Sequence, residues 1–434
     1  MNREEARHHD AAQRLWLAHL QGTVDPRSTR PRAREWALVE EEAQRHNLRG
    51  LTYRLLADGP LSDAVPPALL ERLRVPYLDT ARRNALAFHE TRRMARALAD
   101  RGIEVVLLKG IALARFTYAE PGLRSMADVD VMVRRDRLAE AEQVYVAHGY
   151  GPTPRPDVDE TCRRVKHLVK LVKAEAPVVE LHWSLDNPTS PFHLDLDGVW
   201  ARTRAAMLDG VPVRVLAPED LVLHLAIHAS YHHQFDRAAL KGLVDIQTVV
   251  ARHRGEIDWE ALTERARAWG VAGFVWATLR LSQDILGVVV PISALGGLPH
   301  SAEDERAVNV ARRFILVPRP TVPFAYGDLA RSKSLREGVG HVIANVFLPR
   351  HQMERAYGLS KGSPLLYVAY LRRIGNLLLR RTGLFLRTIV GSERLRAPLD
   401  READRRVLER WTQGIDGGTG PTPFADAERS PEHR

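Results

Sequence analysis

The sequence predicts an α+β fold, a small mixed β-sheet flanked by N-terminal helices and followed by a larger C-terminal helical region. Three observations predict it. Val105 to Leu108 is an apolar, partly β-branched run of strand length, followed by Lys109-Gly110 and a helical stretch from Ile111 to Tyr118. After a turn at Pro121-Gly122, Asp128-Val129-Asp130-Val131-Met132-Val133 alternates as a half-buried strand does, with Asp128 and Asp130 on one face. Val178-Val179-Glu180-Leu181-His182-Trp183 alternates again and puts Glu180 and His182 on one face.

The elements follow in order. Residues 1 to about 100 read as helices: Ala11 to Leu20, then Arg34 to Leu56, one starting at Pro66-Pro67, and a long one from about Pro76 to Arg101 closed by Gly102. The sheet unit spans 101–205. Within it Arg135 to His148 is a helix ended by Gly149, and Gly151 to Pro156 is a proline-rich loop. Lys166 to Lys173 alternates, with Lys166, Leu168, Lys170 and Val172 on one face and His167, Val169, Leu171 and Lys173 on the other. The turn at Glu175-Ala176-Pro177 makes it a hairpin with the Glu180 strand. A helical domain over 206–290 opens at Pro218-Glu219-Asp220, and helices run from Ile257 to Leu286 before a Pro/Gly-containing connector, Val288 to Pro299. A C-terminal helical region covers 291–411, and 412–434 is a Gly/Pro-rich tail expected to be disordered.

Composition bounds the class. The chain has 434 residues, 45% of them hydrophobic, enough for two or three ordinary cores. A formal charge of +9 favours anionic partners, though a surplus of this size on so long a chain is easily dispersed. The single cysteine, Cys162, excludes an intrachain disulfide and a cysteine zinc cluster. The N-terminus lacks an apolar signal core, and no window is long and apolar enough to span a bilayer, so the expectation is a cytoplasmic enzyme.

Two carboxylates on one sheet face repel each other unless a cation lies between them. A hard divalent ion with oxygen ligands, Mg²⁺ above all, is the usual remedy at sites that handle phosphates. Asp128 and Asp130 therefore read as metal ligands, against the alternative of a solvated acidic pair. Glu180 is either a third carboxylate, as metal ligand or general base, or the partner of a nearby Lys or Arg. Lys109 and Gly110 suit an anion nest, against a solvated lysine at a strand end. Arg124 either clamps phosphate bidentately or orients Asp128 across four residues. His182 reads as a group hydrogen-bonded to a metal ligand, or as a satisfied sheet histidine.

His224, His228 and His232, four residues apart, share one helix face; a histidine face packed near the cleft, with His228 supporting the metal ligands, is preferred to a transition-metal stripe. Lys241 and Asp245 are also four apart, so Lys241 either reaches a nucleotide or forms an intrahelical salt bridge. Tyr367 to Val390, with Arg372, Arg373, Arg380, Arg381 and Arg387, is either a basic amphipathic surface for nucleic acid or anionic membrane or, preferably, a helix pair broken at Gly383 with solvated arginines.

The order strand, glycine turn, helix, then D-x-D on the next strand resembles the polymerase-β-like nucleotidyltransferase superfamily. The wording L-L-K-G-I-A-L-A, then P-G-L-R-S-M-A-D-V-D-V-M-V, is similar to a bacterial branch of uncharacterised nucleotidyltransferases, over roughly residues 85 to 250. Better-known members carry Gly-Ser at the turn and a shorter gap to the acidic pair, whereas Lys109 precedes Gly110 here and Arg124 to Asp128 is interposed. The resemblance implies a nucleotidyltransferase core. It would move a nucleoside monophosphate from a Mg²⁺-nucleoside triphosphate to an acceptor hydroxyl and release pyrophosphate. Asp128, Asp130 and Glu180 would hold two Mg²⁺ ions, and Lys109, Gly110, Arg124 and Lys241 would contact the nucleotide. The acceptor would be a small molecule or a peptide or protein. The alternatives are a catalytically inactive binding or scaffold protein with this fold, and a nucleic-acid-modifying transferase.

Overall fold

In the computed structural model residues 3–151, 158–236, 239–317, 353, 366–370, 372 and 396–414 are described. The Pro-rich loop beyond Gly151, Arg373 to Val390 with its arginines, and the tail beyond Gly414 lie outside them. Two compact units divide the chain, Met1–Leu316 with Arg410–Arg434, and Val317–Glu409. Within the second, Met353, Leu366 and Ala369 are buried with Tyr370 packed against them. Among the described residues no helix is long and apolar enough to cross a membrane.

The first unit begins with α1 (Arg3–Gln21), α2 (Ala33–Arg45), α3 (Arg49–Ala57) and α4 (Pro67–Ala99). Two expectations are corrected here. The single helix expected from Arg34 to Leu56 is two, because Asn47 adopts φ +57°, a left-handed conformation that Asn tolerates and a helix does not. Pro76 lies inside α4 instead of starting a helix. A proline removes one intrahelical hydrogen bond, but residues buried on both sides of it, Leu69 and Leu73 before and Thr80, Asn84 and Ala87 after, hold the helix across it.

The sheet follows: β1 (Val106–Leu107), α5 (Lys109–Ala112) continuing as a π turn over Leu113–Thr117, β2 (Asp128–Met132), α6 (Leu138–Ala147), α7 (Val158–Cys162) and β3 (Val178–His182). After α8 (Leu196–Arg202) come β4 (Arg204–Leu208) and β5 (Val211–Val215). Strand order is β3-β2-β1-β5-β4, with β2/β3 and β1/β5 parallel and the other pairs antiparallel. The mixed α+β class is as expected. The β4–β5 hairpin extends the sheet to Val215, past the expected edge at 205; its turn, Asp209-Gly210, has φ +47° and +83°, the signature of a two-residue hairpin. The expected hairpin before β3 is irregular. Its first arm pairs with β3 through the isolated bridges His167↔His182 and Leu171↔Val179, not as a regular ladder.

Alternation divides the sheet into two faces. Val129, Val131, Val133, Val179 and Leu181 enter the main core with Leu98 of α4 and Leu138, Ala141, Val144 and Tyr145 of α6. The acidic side chains take the other face. The chain continues through α9 (Pro218–Ile227), a π turn over His228–His232, α10 (Ala239–Arg252), α11 (Trp259–Ala268), α12 (Ala272–Leu286), α13 (Ile292–Gly297) and α14 (Ala302–Leu316), so the expected connector after Val288 contains a short helix.

The loop before β2 is tightly held. Buried Asn84 of α4 donates to the carbonyls of Pro121 and Arg124, at 2.6 and 2.8 Å. A Cβ on Gly50 of α3 would lie 2.1 Å from the Gly122 carbonyl oxygen, so α3 reaches the loop only through a glycine. Gly50→Ala, which in an unhindered helix stabilises, is expected here to lower the unfolding free energy by about 1–3 kcal/mol. Urea unfolding checks this, and a gain in stability would show that the contact is loose.

Candidate active site

The site is built from the register of two parallel strands. Asp130 pairs with Glu180, Asp128 with Val178 and Met132 with His182. Alternation then brings Asp128, Asp130, Glu180 and His182 to one face, as their spacing predicts. Asp130, Glu180 and His182 are buried, at 4%, 9% and 0% exposure. Asp128, at the start of β2, is half-buried.

Cationic and polar groups surround these carboxylates. Lys109 Nζ donates to Asp130 Oδ1 at 3.0 Å, and His182 Nε2 to the same oxygen at 2.9 Å. His182 Nε2 also lies 3.5 Å from Glu180 Oε2. Lys170 Nζ lies between Asp128 Oδ2, at 3.3 Å, and Glu180 Oε1, at 3.1 Å. His167 Nε2 stands 3.8 Å from Glu180 Oε2, its ring 5.0 Å from that of His182.

The electrostatics follow from this crowding. Burial, and then the Asp130 and Glu180 charges, push the Asp128 carboxyl up. Burial pushes Asp130 the same way, but the Lys109 ammonium and the His182 hydrogen bond overcome it and hold the carboxyl well below its usual range. Glu180 is likewise held low against burial, by His182 and His167. Burial opposes the charge on Lys109, yet Asp130 and Glu180 raise its pKa. His167 is pushed down to about 4 by burial and the neighbouring His182.

The other residues singled out in the sequence fall as follows. Lys109 has φ +36° and faces Asp130. A Cβ on Gly110 would meet Met126 Cβ at 3.0 Å and Arg124 Nη1 at 3.1 Å, so this glycine makes room for the loop packed over it. Arg124 does not pair with Asp128, the nearer acid its spacing offers. Its Nε and Nη2 grip Asp245 of α10 at 3.1 and 2.8 Å, and Tyr118 donates to the same carboxylate at 2.8 Å. Asp245 being so engaged, the intrahelical bridge to Lys241 does not form; Lys241 Nζ donates instead to the Ser125 carbonyl at 2.8 Å. Burial, then the Arg124 charge, push the Lys241 pKa down to about 7.

The histidine face is also altered. Because α9 gives way to the π turn at His228, the four-residue phase is lost. The rings of His224 and His232 lie 6.4 and 6.1 Å from that of His228. His232 Nε2 pairs with Asp186 Oδ1 at 2.9 Å and contacts Lys166 Nζ at 3.0 Å. Burial, and then the Lys109 charge, keep His224 and His228 well below the usual histidine range, while His228 Nδ1 is buried without a hydrogen-bond partner.

Among the described residues, one group of three can converge on a metal ion, Asp130, Glu180 and His182, with donor atoms within 4.8 Å of one another. Hard carboxylate oxygens with one imidazole suit a divalent cation. The Lys170 ammonium, on Glu180 of this group and on Asp128 outside it, is a cation that the acidic face already holds. The residues present therefore fit a metal.

Lys170 and His167 are the site residues that sequence reasoning missed. Strict alternation puts them on opposite faces, but a bend at Val169 brings both to the acidic face, three residues apart. The available signal was complementarity, a basic segment predicted to pair beside an acidic strand.

Residues 32–287, more than half of the chain, match the model of a family described as "Uncharacterised nucleotidyltransferase". Among solved structures, the chain is similar to the crystal structure of an antigenic nucleotidyltransferase-like protein from Paracoccidioides brasiliensis. That match has 19% identity, covers 48% of this chain and 95% of that one, and has a TM-score of 0.32. No curated protein matches the chain.

The Lys241 environment predicts a pH dependence. With the folded pKa near 7 and the ordinary value 10.5, the unfolded chain binds more protons between those limits, so this residue makes stability rise with pH across that window. Lys241→Met removes the contribution. Denaturant unfolding of both proteins from pH 7 to 10 should show a steeper rise in the wild type; parallel curves would mean that Lys241 titrates normally.

Proposed function

We propose that this chain, which belongs to the uncharacterised nucleotidyltransferase family, moves a nucleoside monophosphate from a nucleoside triphosphate to an acceptor hydroxyl and releases pyrophosphate. The observation that carries this reading is the parallel register setting Asp130 beside Glu180, with Asp128 on the same face one alternation away. Family membership supports nucleotidyl transfer in general; the metal, the nucleotide and the acceptor, a small molecule or a peptide or protein side chain, belong to this proposal.

Asp128, Asp130 and Glu180 are the proposed Mg²⁺ ligands. Two such ions, when bound, neutralise the phosphates in transfer and lower the pKa of the attacking hydroxyl. The chain's own residues prepare that site. Lys109 and His182 keep Asp130 ionised inside the fold, and His182 fixes its orientation. Arg124 is assigned to scaffolding, since its guanidinium locks the loop before β2 onto α10. Lys241 is the proposed nucleotide contact, its ammonium beside the same loop and held by a backbone carbonyl. Gly110 permits that loop to close over the turn after β1.

A second reading, a non-catalytic binding or scaffold protein, is favoured by one observation: Lys109 and Lys170 already compensate much of the acidic face. Calorimetry with each of the four common nucleoside triphosphates, with and without Mg²⁺, separates the two. The transferase reading predicts metal-dependent binding of at least one nucleotide, lost in Asp128→Ala/Asp130→Ala. A folded wild type that binds none would put the scaffold reading first.

A further inference from the structure

Lys109 and Lys170 answer the same acidic cluster in different ways. Lys109 is buried, its side chain 10% exposed, at the first position of α5, with its ammonium on Asp130 Oδ1 and the Glu180 charge nearby. Lys170 is 45% exposed at its side chain, and its ammonium bridges carboxylates of two strands, Asp128 and Glu180. It rises next to the bend at Val169, from a segment whose backbone is tied to β3 by Leu168 N to Leu181 O and by the reciprocal Leu171–Val179 pair, so that its freedom lies in the side chain. Lys109 is thus fixed by its surroundings, whereas Lys170 can swing on a long, flexible stem.

The space between Asp128 and Glu180 is where a cation shared by the two carboxylates has to lie, and the Lys170 ammonium is in it. A divalent ion and an ammonium cannot share that place, since like charges at contact distance, well inside a Debye length, repel each other. A triphosphate arriving with the metal brings a new set of anionic oxygens to the rim from which Lys170 reaches. The positive charge of two divalent ions and the negative charge of a fully ionised triphosphate offset each other, so the lysine needs only to exchange one anionic partner for another.

We propose that Lys170 is a phosphate ligand of the nucleotide, which occupies the cation position between Asp128 and Glu180 in the empty site and passes to the triphosphate when metal and nucleotide enter. The inference rests on the transferase reading of the same site. It assigns Lys170 two opposed effects, competition with metal alone and assistance to nucleotide.

The test is Lys170→Met, with Lys170→Arg as the charge-conserving control. Mn²⁺ alone is titrated by electron paramagnetic resonance. The α,β-methylene analogues of ATP, GTP, CTP and UTP are then titrated in Mg²⁺ by calorimetry. In Lys170→Met, Mn²⁺ is expected to bind about fivefold tighter and the preferred analogue about fivefold weaker, the effect of removing one partly exposed ion-pair partner. Lys170→Arg should stay close to wild type in both. A residue that merely braces the strands would weaken both ligands together or neither, so unchanged Mn²⁺ affinity, or analogue binding that does not fall, overturns the inference. That result leaves the transferase reading standing if wild type binds the analogues and Asp128→Ala/Asp130→Ala does not. If wild type binds neither metal nor analogue, both fall.

Discussion

Parallel pairing of β2 with β3 forces Asp130 against Glu180, with Asp128 on the same face, and the rest of the site answers that concentration of negative charge. An unpaired buried carboxylate is costly. The fold supplies Lys109 from the turn after β1, His182 from the end of β3, and Lys170 and His167 from the irregular segment beside it. The result is a cluster of opposed charges in which the more buried carboxylates, Asp130 and Glu180, are held ionised while the half-buried Asp128 is pushed the other way.

Behind the cluster is a rigid support. Arg124, Tyr118 and Asp245 join the loop before β2 to α10, Asn84 ties that loop to α4, and glycines at 50, 110 and 122 permit close approaches around it. A helical region that looks separate in sequence therefore determines where β2 begins. Breaking one member of the Arg124–Asp245 pair would strand a buried charge, so the pair fixes this loop against α10.

How much of this the sequence carries depends on the range of each interaction. The face shared by Asp128, Asp130, Glu180 and His182 follows from two-residue alternation, a property of the strand alone, and the α+β class follows from the same runs. Arg124–Asp245 is not legible, because its partners are 121 residues apart and a nearer acid, Asp128, competes for attention. Lys170 and His167 are hidden by the bend at Val169, a local departure from the ideal strand period, whereas the histidine face is legible and the π turn at His228 alters only its phase. The β4–β5 hairpin is different: Asp209-Gly210 between alternating runs announces it, and it was readable from the sequence.

We read the acidic face of β2 and β3 as a cation site for nucleotide chemistry, with the Lys170 ammonium between Asp128 and Glu180 until metal and nucleotide enter. Anomalous diffraction from crystals soaked with Mn²⁺ and a non-hydrolysable nucleoside triphosphate tests it most directly. An Mn²⁺ peak is expected among the carboxylates of Asp128, Asp130 and Glu180, with nucleotide phosphates beside it and Lys170 turned away from Asp128 towards them. Nucleotide and Mn²⁺ bound elsewhere, with Lys170 still bridging Asp128 and Glu180, would contradict it.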